Sequence, residues 1–139
     1  MQNKKLSVIG LGKLGLPLAL SFASKGLNVI GYDINKETVD KLHSGLSPIS
    51  EPFVQKMLLN NKANITFTQT AEDIIQKSNI SFIVVPTPSK KDGSFSSQYI
   101  EEAIKAFIPS LKKKKTKTYI CNNQHNFSRN NGKNSQTID

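Results

Sequence analysis

Tryptophan is absent from this 139-residue chain, and cysteine occurs once, as Cys121. A lone thiol excludes an internal disulfide framework and suits a reducing compartment, which predicts a cytoplasmic protein. Long apolar runs are missing too. None approaches the ~20 residues of a membrane-spanning helix, so no membrane partner is expected. Lys4-Lys5 ahead of an apolar stretch, with Phe22-Ala23-Ser24 further on, mimics a secretory leader, but Lys13 interrupts the run. The two histidines, His43 and His125, have no ligand-like partners nearby in sequence, and no metal site is expected. Acidic residues are scarce, 10 against 19 lysines and arginines, for a net charge of +9. That sign invites nucleic acid, but the excess is not spread over a surface. Lys112, Lys113, Lys114, Lys115, Lys117, Arg129 and Lys133 face only Asp139, whereas charges nearly balance before them. A lysine run after a helix reads as a solvated loop that complements the helix C-terminal dipole, so no nucleic-acid partner is expected. No internal repeat is visible, and the length is that of one domain able to bury roughly two-thirds of its unfolded surface.

What is present is concentrated in Val8-Ile9-Gly10-Leu11-Gly12-Lys13-Leu14-Gly15, a G-x-G-x-x-G between an apolar run and a helical pattern. Gly10 can make the tight strand-to-helix turn, Gly12 removes a Cβ that would obstruct a pyrophosphate, and Gly15 lets the helix lie close on the strand. The helix then aims free N–H groups, carrying roughly half a positive charge, at an anion. Asp33 closes the next apolar run, Val29-Ile30-Gly31-Tyr32, about ~20 residues on, the spacing at which a carboxylate meets the ribose of a dinucleotide. It could otherwise be a turn residue or a helix cap. A carboxylate there repels a 2′-phosphate, and no arginine follows to neutralise one, so the expected cofactor is NAD, with Lys36 as the one residue able to blur that choice.

Strand and helix then alternate. Residues 6–9 and 28–32 predict two strands flanking a helix with Leu14, Leu18 and Phe22 on one face; Val39 and Leu42 mark a short second helix, and Phe53, Met57 and Leu58 a third. Residues 65–68 predict a third strand. Thr70-Ala71-Glu72-Asp73 reads as a capping box opening a helix through Ile74 and Ile75, and residues 80–85 as a buried parallel strand. Pro86-Thr87-Pro88 follows at that strand's carboxyl end, where open α/β sheets bind ligands; Thr87 is either an exposed turn threonine or a ligand contact. Ile100, Ile104, Phe107 and Ile108 form a helix face expected to stop at Pro109, and Thr118-Tyr119-Ile120-Cys121 begins a fifth strand. The pattern is that of a doubly wound parallel α/β sheet over residues 1–121, a Rossmann-type dinucleotide-binding domain incomplete at its C-terminal end. Residues 122–139 are asparagine-rich with only Phe127 and Ile138 clearly apolar, keep no period, and are expected to be disordered.

These residues resemble the UDP-glucose/GDP-mannose dehydrogenases over about residues 4–121. The resemblance rests on Val8-Ile9-Gly10-Leu11-Gly12-Lys13-Leu14-Gly15-Leu16-Pro17-Leu18-Ala19, Gly31-Tyr32-Asp33-Ile34, Ser47-Pro48-Ile49-Ser50-Glu51-Pro52, and Val85-Pro86-Thr87-Pro88 with Asp92-Gly93-Ser94. It implies an NAD-dependent oxidation of a nucleotide sugar, UDP-glucose or a UDP-N-acetylhexosamine, to the uronic acid for polysaccharide biosynthesis, by a homo-oligomeric parent enzyme. It carries Gly10, Gly12, Gly15, Asp33 and Thr87 over as NAD contacts, and Leu11, Lys13 and Leu14 complete the expected cofactor loop. Lys13 departs from the tyrosine common in the family, and Thr38 stands where many members place a basic residue near the adenosine. The family's nucleophilic cysteine and its partners belong to a substrate domain beyond these residues. Cys121 is therefore expected to be a buried structural thiol, and the chain to hold no catalytic residues. The competing expectation is a stand-alone, non-catalytic NAD-binding module.

The resemblance also bears on residues 122–139. In the family the fifth strand leads into S-T-I-x-P-G-T-T, and this chain departs from the pattern where that motif is due. Back-translating residues 125–138 and moving the frame forward one base permits T-I-S-P-G-T-T-E-K-I-V-K-P-L without a break. A frameshifted tail on the N-terminal part of a longer dehydrogenase is the expectation.

Overall fold

A computed structural model describes residues 5–84, 91–92, 98–113, 118–122 and 135–138. Five parallel strands, β1 (Lys5–Ile9), β2 (Asn28–Tyr32), β3 (Ile65–Thr68), β4 (Ile80–Ile83) and β5 (Thr118–Asn122), and an antiparallel sixth, β6 (Ser135–Ile138), form one sheet in the order β3-β2-β1-β4-β5-β6. The helices are α1 (Gly15–Ser24), α2 (Lys36–His43), α3 (Pro52–Asn60), α4 (Ala71–Lys77) and α5 (Gln98–Lys113), with a 3-10 turn at Lys62–Asn64. The strand order reverses between β1 and β4, the switch point at whose carboxyl ends such sheets take their ligands. No described helix is long and apolar enough to cross a membrane.

Both faces of the sheet are buried because neighbouring residues of a strand point to opposite sides. Val8 and Val29 pack with Leu16, Ala19, Leu20 and Ala23 of α1 and Val54 and Leu58 of α3; Ile9 and Ile30 pack with Ile74 and Ile75 of α4 and Phe107 of α5. Tyr32 meets Phe107 edge-to-face, ring centroids 5.2 Å apart, so the second cluster reaches the ends of β1 and β2 where the glycine loop begins. At the opposite end of the sheet three fully buried serines satisfy one another: Ser7 Oγ lies 2.7 Å from Ser81 Oγ and 3.0 Å from Ser78 Oγ. Hydroxyls that would each be costly to bury alone are there mutually hydrogen-bonded.

Three local expectations are corrected. Thr70 occupies the position before α4 but makes no side-chain cap; Thr68 Oγ1 accepts from Thr70 N–H at 3.0 Å and donates to Asp73 Oδ2 at 3.2 Å. Pro109 does not stop α5, which runs on to Lys113. Proline forfeits one helical hydrogen bond, and here the helix is held from outside on both sides of it, before it by Phe107 buried against α4 and after it by Gln76 Nε2 donating to Ser110 O at 3.3 Å. Finally, residues 122–139 are not disordered throughout. Asn122 completes β5 and Ser135–Ile138 pairs antiparallel to it, Thr118 opposite Ile138 and Cys121 opposite Ser135. An edge strand draws on backbone donors and acceptors, which every sequence carries, and so needs no apolar period. The Cys121 side chain, like Thr87, lies outside the described residues.

Candidate functional site

The site is built at the carboxyl ends of β1 and β2. Gly10 leaves β1 with φ 101°, a left-handed conformation that a side chain would strain, and its N–H donates to Tyr32 O at 2.8 Å, tying the turn to β2. Across the switch point Val84 N–H donates to Ile9 O at 2.7 Å, fixing the other side of the loop's root. Gly15 opens α1 against this turn. A Cβ at Gly15 would sit 1.7 Å from Gly10 O, so only glycine lets the helix start this close. At Gly12 the reverse holds: a Cβ there would meet nothing within 4 Å. The space beside Gly12 is open, and the helix that faces it has no side-chain cap and no acidic residue in its first turn. An anion placed there would meet uncapped helix N–H groups in a space that protein atoms leave free, which is the fit a pyrophosphate requires.

Asp33 is the second fixture. Its Oδ2 accepts from Leu11 N–H at 2.9 Å and its Oδ1 from Asn35 N–H at 2.8 Å, so one carboxylate joins the glycine loop to the start of α2. The turn reading of Asp33 is correct as far as it goes, since the bond to Asn35 is local. The helix cap is Asn35, whose side chain accepts from Glu37 and Thr38 N–H. Each carboxylate oxygen has a second lone pair, and Asp33 is half-buried at the cavity wall, so both oxygens can still accept from hydroxyl groups. Burial, and after it the adjacent Asp33 charge, raise the ionisation of the Tyr32 phenol above its ordinary range, keeping the residue beside Asp33 neutral. Lys36 is engaged within α2, its Nζ 2.6 Å from Asp40 Oδ2.

These parts surround a cavity of about 370 Å³ lined by Gly10, Leu11, Gly12 and Asp33 on one side and by Ala103, Ala106 and Phe107 of α5 on the other. Of the expected residues, Gly10, Leu11, Gly12 and Asp33 line this cleft, whereas Lys13, Leu14 and Gly15 follow in the same loop but are not part of its wall. The α5 wall escaped the sequence reading, since its alanines register only as a helix face. Ile34, straight after Asp33, was not singled out by the sequence reading either. It lines the cavity and is 83% exposed, an apolar surface left bare at the mouth of the cleft. A second hollow, about 430 Å³, lies beside edge strand β3 among Leu42, His43, Leu58, Lys62 and Phe67, far from the glycine loop. His43 Nε2 is there 2.8 Å from Phe67 O. No grouping of potential metal ligands occurs among the described residues.

Residues 4–122 match the NAD binding domain of the UDP-glucose/GDP-mannose dehydrogenase family. The chain belongs to that family. Among curated relatives of this NAD binding domain, the UDP-N-acetyl-D-mannosamine dehydrogenase of Pyrococcus horikoshii is 39% identical over 103 residues, 73% of this chain and 24% of that protein. The GDP-mannose 6-dehydrogenase of Pseudomonas putida is 36% identical over 99 residues, 70% of this chain and 23% of the relative. In structure, a ternary complex of GDP-mannose dehydrogenase from Pseudomonas aeruginosa superposes with a TM-score of 0.78 at 29% identity, over 84% of this chain and 27% of that one. The chain therefore spans about a quarter of the length of the relatives it matches. Its doubly wound fold is theirs, and NAD is the cofactor of the domain.

Proposed function

We propose that this chain supplies the cofactor half of an NAD-dependent nucleotide-sugar 6-dehydrogenase acting on a UDP-linked sugar. Gly10, Leu11, Gly12, Lys13, Leu14 and Gly15 hold the pyrophosphate, Asp33 takes the ribose hydroxyls, and Ile34 offers its bare face to the adenine. The bound nicotinamide supplies a hydride acceptor, and the chain's own residues bind and orient it. The observation that carries the reading is the open space at Gly12 under an uncapped helix start, joined through Leu11 to a carboxylate at ribose distance along the chain. The Lys36–Asp40 pair favours NAD over NADP, because it engages the one lysine able to neutralise a 2′-phosphate. UDP-N-acetyl-D-mannosamine dehydrogenases among the relatives, 39% identical in Pyrococcus horikoshii and 40% in Salmonella typhi, favour a UDP-linked substrate.

The chain is proposed to bind the cofactor without turning over a sugar, because the family's catalytic groups lie in the part of the relatives that it does not span. Isothermal titration of the 139-residue chain with NAD and NADP, together with absorbance at 340 nm in the presence of UDP- and GDP-sugars, tests both statements. NAD binding with weaker NADP binding and no NADH is expected. Equal affinities overturn the ribose assignment, and steady NADH formation overturns the division of labour.

A further inference from the structure

Tyr32 carries a polar group that the fold does not use. The residue is 9% exposed at the end of β2, and its hydroxyl makes no hydrogen bond among the described residues. A buried phenol normally finds a partner, because a hydroxyl taken out of water without one forfeits its hydration. The serines buried in this sheet show the usual outcome, Ser7 bonding to both Ser78 and Ser81. The Tyr32 ring is nevertheless held firmly. It meets Phe107 edge-to-face at 5.2 Å and packs in one cluster with Ile9, Ile30, Ile74 and Ile75. A phenol oxygen lies on the axis about which its ring turns, so a ring held in this way also fixes the hydroxyl.

Tyr32 lines the cavity of about 370 Å³, facing the small Ala103 and Ala106 one turn apart on α5. The polar side chains on the described walls are Tyr32, Asp33 and Glu102. Carboxylates only accept, so the phenol is the one side-chain donor among the described lining residues. Burial, and after it the Asp33 charge, raise its ionisation, and the proton to be donated stays in place. Successive strand residues point to opposite sides: the Asp33 carboxylate turns to Leu11 N–H, the Tyr32 ring to α5. The two residues therefore serve different parts of a ligand. With Asp33 on the ribose, the group entering the space between Tyr32 and α5 is the base, and adenine presents ring nitrogens that accept. We propose that the Tyr32 hydroxyl donates to a ring nitrogen of the cofactor's adenine, which makes Tyr32 a base-selecting residue. The inference rests on the NAD reading above and gives the adenosine end a polar contact beside the apolar one of Ile34.

Tyr32→Phe removes the hydroxyl and keeps the ring. The ligand-free variant should melt at an equal or higher temperature, since no hydrogen bond is lost from the empty protein. NAD and adenosine should each bind about three- to tenfold more weakly, the worth of one neutral hydrogen bond. The deaza analogues of adenosine identify the acceptor, because 1-deaza-, 3-deaza- and 7-deazaadenosine each lack one ring nitrogen. One of them should bind wild type and Tyr32→Phe alike, while the other two keep the full difference. The experiment titrates both proteins with NAD, adenosine and the analogues by calorimetry, with melting curves of each free protein. Unchanged NAD and adenosine affinities in Tyr32→Phe, against a wild type that binds both, overturn this inference and leave the NAD reading standing. A difference that persists in all three analogues overturns it too, since the hydroxyl then meets no ring nitrogen. A clearly lower melting temperature for free Tyr32→Phe also overturns it, because the hydroxyl is then bonded within the protein. A wild type that binds neither NAD nor adenosine overturns the NAD reading first and this inference with it.

Discussion

Gly12 and Gly15 lie three residues apart in one loop, and the structure assigns them opposite vulnerabilities. In Gly15→Ala the new Cβ would sit 1.7 Å from Gly10 O and 2.8 Å from Gly10 C, whereas real Cβ contacts essentially never fall under 3.0 Å. The obstructing atoms are backbone, so no side chain can turn aside. Either α1 lifts off the β1 turn by about 1.3 Å or the turn is rebuilt, and both loosen Leu16, Ala19 and Leu20, which are fully buried. Overpacking of this kind costs about 1–3 kcal/mol, and a backbone obstacle places it at the upper end. For a domain of this size the midpoint should fall by roughly 6–10 °C. Gly12→Ala meets nothing within 4 Å, and Gly12 is not among the glycines with positive φ. The free protein should then melt at an equal or slightly higher temperature, because alanine removes unfolded-state freedom worth about 0.4–1 kcal/mol. NAD affinity should nevertheless fall by about tenfold or more, some 1.4 kcal/mol, as the methyl group enters the space left for phosphate. Scanning fluorimetry of the free proteins and calorimetry with NAD separate the two effects. A Gly12→Ala protein that binds NAD like wild type, or a Gly15→Ala protein that melts with wild type, would refute this account of the loop.

Asp33→Ala should remove the preference for NAD over NADP and also destabilise the free chain by about 1–3 kcal/mol, because Leu11 and Asn35 N–H groups lose their acceptor; urea denaturation showing no change would argue against the bridge. Tyr32 ionises above the usual tyrosine range, so the folded phenol stays neutral where an unfolded one ionises. Stability should hold below about pH 10 and fall as pH rises through the raised value, and Tyr32→Phe should flatten that fall in urea melts; identical alkaline slopes would count against burial as the cause. Sequencing the locus should show that the bases from the second position of the His125 codon onward encode T-I-S-P-G-T-T, whereas stops or unrelated codons there would dismiss the frameshift.

The glycine loop, Asp33 and the first four strands could be read from the sequence because each rests on a local rule. Glycine at 10 and 15 answers a backbone need that no other residue meets, and the apolar runs of β1, β2 and β4 mark strands covered on both faces. What depended on neighbours distant along the chain was not legible. The cavity's second wall comes from α5, about 70 residues beyond Asp33, and the packing of Phe107 on Tyr32 and on the isoleucines of β1, β2 and α4 puts it there. Thr68 rather than Thr70 braces α4, because β3 delivers its hydroxyl to Thr70 N–H and Asp73. Pro109 passes inside a helix because α4 supports the next turn, and β6 exists because β5 offers it an edge. Backbone conformation and burial period are properties of short stretches and are written in them. Which donor meets which acceptor across the fold is a property of the assembled sheet and its helices, and only the tertiary structure decided it.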